Sequence, residues 1–356
     1  MQKDNKKQIV EDLIKKIVEN PNISDNYLKL ASIYMSDNEY DLAISVYESL
    51  INIEKSNFLA LMNLGNIYFY KNEFQKAVNY YSRTITLGIE NNTIYYNLGN
   101  ALAELGEFKQ AMSNYIKALN IEPNNDKIYS AIGLLYQDQL NYEEAIKYYE
   151  KALDLNNSDE SNYINLSLAL MQIGEYNKAI DYFNQALKSS PDNIKYLLFI
   201  ANAYSANKEY NNANETFEKI LQLEPNYYQA YLCYAISKFE QNIIQDSIEL
   251  YNKAINLFPE ITNAYVLLAN LYFSEKKYEN ACELYIKAIQ LEPSEASIYT
   301  LLGNTYVMMK DLRSAISIYK QALDIDTNND ELKLIYIEIV QEFIKNKKEQ
   351  ENTNVA

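Results

Sequence analysis

Apolar, small and aromatic side chains return along this chain at fixed phases of a 34-residue period. Counted from Ser24, position 4 is Tyr or Leu: Tyr27, Leu61, Tyr95, Tyr129, Tyr163, Leu197, Tyr231, Tyr265 and Tyr299. Position 8 is small: Ala31, Gly65, Gly99, Gly133, Ser167, Ala201, Ala235, Ala269 and Gly303. Position 20 is Ala wherever Ser247 does not replace it, position 24 is always Tyr or Phe, and position 27 is mostly Ala. Phases 4, 7, 8 and 11 share one helical face, and phases 17, 20, 21, 24, 27 and 28 share another. The pattern predicts two amphipathic helices of about 14 residues in each unit. Short turns such as Leu105-Gly106-Glu107 and Ile173-Gly174-Glu175 separate them. All six prolines (Pro21, Pro123, Pro191, Pro225, Pro259, Pro293) fall at position 32 or its upstream equivalent, where proline stops the preceding helix. Asn22, Asn124, Ser158 and Asp192, at position 33, are the expected N-caps of the next helix.

The same columns predict the packing. Small side chains at positions 8 and 20 let the two helices of a unit approach closely. Aromatic rings at positions 4, 11, 17 and 24 fill the space around that contact, so large and small groups interlock. Most of the 35 tyrosines stand at these phases and are expected in the core. The unit 228–261 departs furthest, with Lys238 at position 11, Ile244 at 17 and Ser247 at 20. It is either a drifted repeat or a specialised joint.

Composition narrows the chemistry. The 356 residues include no histidine, which removes the side chain that titrates near neutral pH and the commonest metal ligand. The two cysteines, Cys233 and Cys282, match no zinc or redox spacing. There is no glycine-rich phosphate loop and no nucleophile elbow. The stretches beginning at Asp154 and Asp324 imitate a calcium loop but lack its glycine and its final acidic residue, and read as turns. No catalytic, cofactor-binding or metal-binding residue is therefore expected. A net charge of -16 argues against nucleic acid or an anionic membrane as partner. The first 20 residues lack the apolar stretch of a secretory signal, and no apolar run is long enough to span a membrane. A cytoplasmic location is the expectation.

The fragment Tyr96-Asn97-Leu98-Gly99-Asn100-Ala101-Leu102, with Ala111, Tyr115, Ala118 and Pro123, resembles the tetratricopeptide repeat (TPR). The resemblance extends over 24–329, with Tyr or Leu at position 4 where the family carries Trp. It implies an all-α, right-handed superhelical solenoid of helix–turn–helix repeats. The expected organisation is an N-terminal capping helix in 1–23 and nine units at 24–57, 58–91, 92–125, 126–159, 160–193, 194–227, 228–261, 262–295 and 296–329. A C-terminal capping helix at 330–346 and a disordered tail at 347–356 complete it.

The resemblance also implies a concave groove lined by positions 2, 5, 6, 9, 12 and 13 of the first helices. Early units place amides and aromatics there: Met62, Asn63, Asn66, Phe69, Tyr70, Tyr96, Asn97 and Asn100. Later units place mainly apolar groups there, including Phe199, Leu232, Ile236, Phe239, Phe273 and Met308, together with Asn202, Asn270 and Asn304. The asparagines are either family background or a ladder that pairs with the backbone of an extended peptide. Lys29, Lys127 and Lys195 nearly balance Asp25, Glu104, Asp138 and Glu240, and the lysines are too scattered for a carboxylate clamp. The expected function is a non-catalytic protein–protein interaction scaffold that holds a peptide or partner segment in the groove. The alternative is a self-associating structural protein that uses the apolar later repeats, and so a homo-oligomer. A repeat portion of a transferase ranks last.

Overall fold

The computed structural model describes residues 2–89 and 91–353, with side chains for 6–89 and 91–348. The described residues form 20 helices and no strand. They fall into two compact units, Met1–Ser189 and Ser190–Ala356.

The first unit opens with α1 (Gln2–Glu19). Helix pairs follow: α2 (Ser24–Ser36) with α3 (Tyr40–Ile53), α4 (Phe58–Tyr70) with α5 (Phe74–Ile85), α6 (Asn92–Glu104) with α7 (Phe108–Ile121), α8 (Asp126–Asp138) with α9 (Tyr142–Leu155), and α10 (Glu160–Gln172) with α11 (Tyr176–Ser189). The second unit holds α12 (Ile194–Ala206) with α13 (Tyr210–Leu223), α14 (Tyr228–Glu240) with α15 (Ile244–Leu257), α16 (Thr262–Ser274) with α17 (Tyr278–Leu291), and α18 (Ala296–Met308) with α19 (Leu312–Ile325). It ends on α20 (Asp330–Thr353). Within each unit, helices pack on their sequence neighbours. That nearest-neighbour packing is the basis of solenoid stability.

The alternation of large and small groups is visible in the packing. The rings of Tyr81, Tyr115, Tyr149 and Tyr319 lie directly over Gly65, Gly99, Gly133 and Gly303 of the partner helix. A Cβ built on Gly99 would stand 2.5 Å from Tyr115 Cε1. The alanines at position 20 are fully buried beside these contacts.

Every turn inside a repeat has the same geometry. Position 15 adopts a positive φ in all nine repeats, at Asn38, Asn72, Gly106, Leu140, Gly174, Lys208, Asn242, Lys276 and Lys310. In one example, Gly106 N donates to Ala103 O at 2.8 Å and Glu107 N donates to Leu102 O at 2.9 Å. This pair of bonds closes the helix C-terminus as a Schellman motif.

The helix starts require a correction. The capping side chains stand at position 34 and not at position 33. Asn57, Asn91, Asn125, Asp159 and Asn193 each accept from backbone N–H groups of α4, α6, α8, α10 and α12. Position 33 lies one residue outside the cap. Helices α14, α16 and α18 have Tyr227, Ile261 and Glu295 at the cap and no side-chain cap bond. There the position-4 tyrosine ties down the turn: Tyr231, Tyr265 and Tyr299 hydroxyls donate to the carbonyls of Pro225, Pro259 and Pro293 at 3.0–3.1 Å.

The divergent repeat 228–261 is repaired internally. Ser247 Oγ donates to Ala235 O at 2.7 Å, bridging positions 20 and 8 across the two helices. Lys238 lies over the Tyr234 ring at 5.2 Å and pairs with Asp246 at 3.6 Å.

The C-terminal helix also differs from expectation. α20 runs to Thr353, past the expected end at 346 and into the stretch expected to be disordered; residues 354–356 lie outside the described residues. Leu332 is buried against the last repeat, with Tyr336 and Ile339 packed beside it. Its outer face is not purely charged, because Leu334 (63%), Ile337 and Ile344 are exposed.

Candidate functional site

In the first unit, the first helices of successive repeats bring their position 5, 6, 9 and 12 side chains to one face. Two depressions lie there. One, of about 250 Å³, is lined by Asn66, Phe69, Tyr70, Tyr81, Tyr96, Asn97 and Asn100. The other, of about 620 Å³, runs over α6, α8 and α10, and Phe69, Tyr96 and Asn100 are common to both. Its further lining includes Glu104, Tyr115, Lys127, Ser130, Leu134, Asp138, Asp159, Asn162 and Asn165.

The asparagines of this face already have a structural task. Tyr115 donates its hydroxyl to Asn100 Oδ1 at 2.8 Å, and Tyr81 donates to Asn66 Oδ1 at 2.8 Å. Asn97 Nδ2 also donates to Asn66 Oδ1, at 3.0 Å. A buried phenol needs such an acceptor, because an unpaired hydroxyl away from water is costly. What remains for a ligand is the donor side of Asn66 and Asn100, since neither Nδ2 has a hydrogen-bond partner among the described residues. Burial pushes the Tyr115 hydroxyl far above its ordinary range, and the nearby Tyr96, Glu104 and Asp138 add to the effect. It therefore remains a neutral donor at physiological pH.

The other expected site residues are placed as follows. Met62 packs on the core of the first unit, and Asn63 donates to the Tyr47 hydroxyl at 3.0 Å. Neither lines the two depressions. In the second unit, Ile236, Phe239 and Met308 are exposed, and Phe199 is half-buried. Phe273 is half-buried edge-on against Tyr278, with ring centroids 5.5 Å apart. Asn270 and Asn304 accept from the Tyr285 and Tyr319 hydroxyls at 2.5 and 2.6 Å. The repeat of Asn202 carries Phe217 at position 24, which has no hydroxyl to donate, and Asn202 hydrogen-bonds the Cys233 thiol. Leu232 is buried and offers no groove surface.

Sequence reasoning missed Asn162 and Asp159. Asn162 stands at position 3, where most other repeats carry Ala or Ile (Ala60, Ile94, Ile128, Ala230, Ala264, Ile298). A polar residue in an apolar column was the available signal. Asp159 was hidden because the cap was expected one residue earlier. Both cysteines are free thiols, and burial raises their pKa, that of Cys282 to about 11. Neither is activated as a nucleophile. No described helix is long and apolar enough to cross a membrane.

Comparison with known proteins agrees with this architecture. Models described as tetratricopeptide repeat or TPR repeat match residues 27–57, 65–106, 99–139, 124–192, 170–231 and 260–328. Between the first and last matched residues, 58–64 and 232–259 are left unmatched, and the longer of the two falls inside the divergent repeat. No curated protein matches the chain. Among solved structures, a tetratricopeptide repeat protein from Parabacteroides merdae is similar at 21% identity and a TM-score of 0.56, covering 70% of this chain and 98% of that one. Yeast Tom70 is similar at 16% identity and a TM-score of 0.57, covering 98% of this chain and 87% of that one. At these identities the likeness shows the fold alone. With the 34-residue columns, the paired helices and family models reaching along most of its length, this chain belongs to the tetratricopeptide repeat family.

Proposed function

We propose that this protein is a non-catalytic scaffold that holds an extended segment of a partner protein on the first-helix face of its early repeats. Family membership supports the broader role of protein-interaction scaffold. The observation that carries the finer reading is the pair of depressions over α4, α6, α8 and α10. They combine aromatic walls with the amides of Asn66 and Asn100, whose Nδ2 atoms have no hydrogen-bond partner among the described residues. An extended peptide presents carbonyls to such donors and side chains to such walls.

The test is selection of 12-residue peptides from a displayed random library on the whole protein, followed by fluorescence anisotropy of a selected peptide. Tyr70→Ala and Leu134→Ser, both at exposed positions, are expected to weaken binding roughly fivefold or more, and Met308→Ser to leave it unchanged. Binding that ignores the early variants and falls with Met308→Ser would move the site to the later repeats.

A second reading has its own observation. The outer face of α20 leaves Leu334, Ile337 and Ile344 exposed, and Val18 near the end of α1 is exposed as well. Apolar end faces of a solenoid favour stacking on another copy. Light scattering decides it: a dimer that returns to monomer in the Leu334→Glu variant supports stacking, and a monomer at high concentration rejects it.

A further inference from the structure

The larger depression, over α6, α8 and α10, differs from its neighbour in charge. The smaller one has no charged side chain in its lining. The larger one carries Glu104, Asp138 and Asp159 against a single Lys127, a net charge of -2. Glu104 and Asp138 stand at the same phase of successive repeats, and both lie close enough to the Tyr115 hydroxyl to act on it. Neither belongs to an ion pair among the described residues, and Asp159 engages a backbone N–H of α10 as its cap.

A second observation points into the same cavity. Asn162 is 1% exposed and lines it. Its Oδ1 accepts from Ser130 Oγ, while its Nδ2 has no hydrogen-bond partner. A buried amide donor without an acceptor is uncommon in folded proteins and is relieved by a carbonyl brought to it. The carboxylates call for a cation. No group of three or more acidic or cysteine side chains among the described residues is close enough to hold a metal ion. The spread of the acids suits a long side chain better than an ion, and the Tyr96 ring in the wall adds an aromatic face for it.

We propose that this cavity receives a lysine or arginine side chain of an extended partner segment, placed between Glu104 and Asp138, while the Asn162 side chain turns toward the cavity so that a backbone carbonyl of that segment accepts from its Nδ2. The proposal rests on the scaffold reading above and names the class of peptide it takes. Lys127 on the rim disfavours a second basic residue immediately beside the first, so a single basic anchor among neutral residues is expected.

The experiment is the same library selection, run in parallel on the wild type and on the Glu104→Gln/Asp138→Asn double variant, whose substituted side chains are both exposed. Wild-type selection should enrich Lys or Arg at one fixed position, and the double variant should lose that enrichment. For a selected peptide, Asp138→Asn should weaken binding roughly tenfold, as should replacing the anchor Lys by norleucine. Asp138→Lys should abolish binding to the Lys peptide and restore it to the matching Glu peptide. Asn162→Ala should weaken the peptides; its thermal melt is compared with wild type, and the exposed carboxylate variants carry the test if it fails to fold. Peptides that bind the early repeats with no basic preference would overturn this inference and leave the scaffold reading standing. Failure to select any peptide to these repeats would remove both.

Discussion

At the contact between positions 8 and 24, the glycine hydrogen leaves room for a ring that a Cβ would crowd. Gly99 meets the Tyr115 ring at a distance where a Cβ would have to displace it. Elsewhere Ala201 and Ala269 fill the same phase against Phe217 and Tyr285, so the ring can shift enough for a methyl group. Alanine also gains about 1 kcal/mol of helix propensity over glycine. Gly99→Ala is therefore expected to lie within about 1 kcal/mol of wild type, whereas Gly99→Val destabilises by about 1–3 kcal/mol; urea denaturation measures both. The hydroxyl of the same ring is tied to Asn100, so Tyr115→Phe should cost about 1 kcal/mol. Asn100→Ala should cost more, about 1–3 kcal/mol, because it strands the buried phenol. Loss of binding in an Asn100 variant consequently needs a thermal melt beside it before it is assigned to the groove. The small-residue column was legible because glycine and alanine repeat every 34 residues. The task of Asn100 was not: the position-9 amide and the position-24 hydroxyl recur together in four repeats, but they stand 15 residues apart on different helices, and only the packing shows that they meet.

Helix ends show where a column of letters underdetermines an element. The turn at position 15 is left-handed in every repeat, yet only Gly106 and Gly174 occupy it with the residue that suits it best. The packing of the flanking helices imposes the conformation on Leu140 and Lys276 all the same. Leu140 is 72% exposed and has little burial to lose, so Leu140→Gly is expected to stabilise the protein by about 1 kcal/mol in thermal denaturation. Caps follow a similar logic. Proline at position 32 was legible and marks each junction, but whether the next helix is capped from position 33 or 34 depends on backbone geometry that proline alone does not decide. At α14, α16 and α18, where position 34 lacks a capping side chain, the Tyr–Pro carbonyl bond supplies another tie. Glu295→Asp should add a cap to α18 and raise stability by about 0.5–1 kcal/mol. The divergent repeat shows that a broken column need not mean a broken element. Ser247 and Lys238 each find a partner that the usual alanine and tyrosine would not use. Only the three-dimensional proximity of Asp246 and Ala235 shows this.

For the whole molecule, the recurrence of a buried phenol at position 24 of seven repeats (Tyr47, Tyr81, Tyr115, Tyr149, Tyr251, Tyr285 and Tyr319) gives a collective signature. Burial raises the hydroxyl pKa of Tyr285 and Tyr319 to about 12, from 10.0. The unfolded chain therefore loses these protons before the folded one does, and stability falls as pH rises from 10 through 12, with the full contribution present below pH 10. Guanidinium midpoints should decline across that window, while phenolate absorbance of the core tyrosines develops only as unfolding proceeds. The repeat count and the all-helical class were open to reading from periodicity, because a 34-residue ruler without slip leaves little freedom. The acidic cavity was not, because averaging groove charges along the chain gave near-neutrality and hid the local excess over α8. The central claim is that the first-helix face of the early repeats holds a peptide. Hydrogen-exchange mass spectrometry of the whole protein, with and without a library-selected peptide, tests it most directly. The account predicts added protection in 92–104, 126–138 and 160–172, with 108–121 and 142–155 unchanged. Protection confined to the second helices or to 330–353 would contradict it.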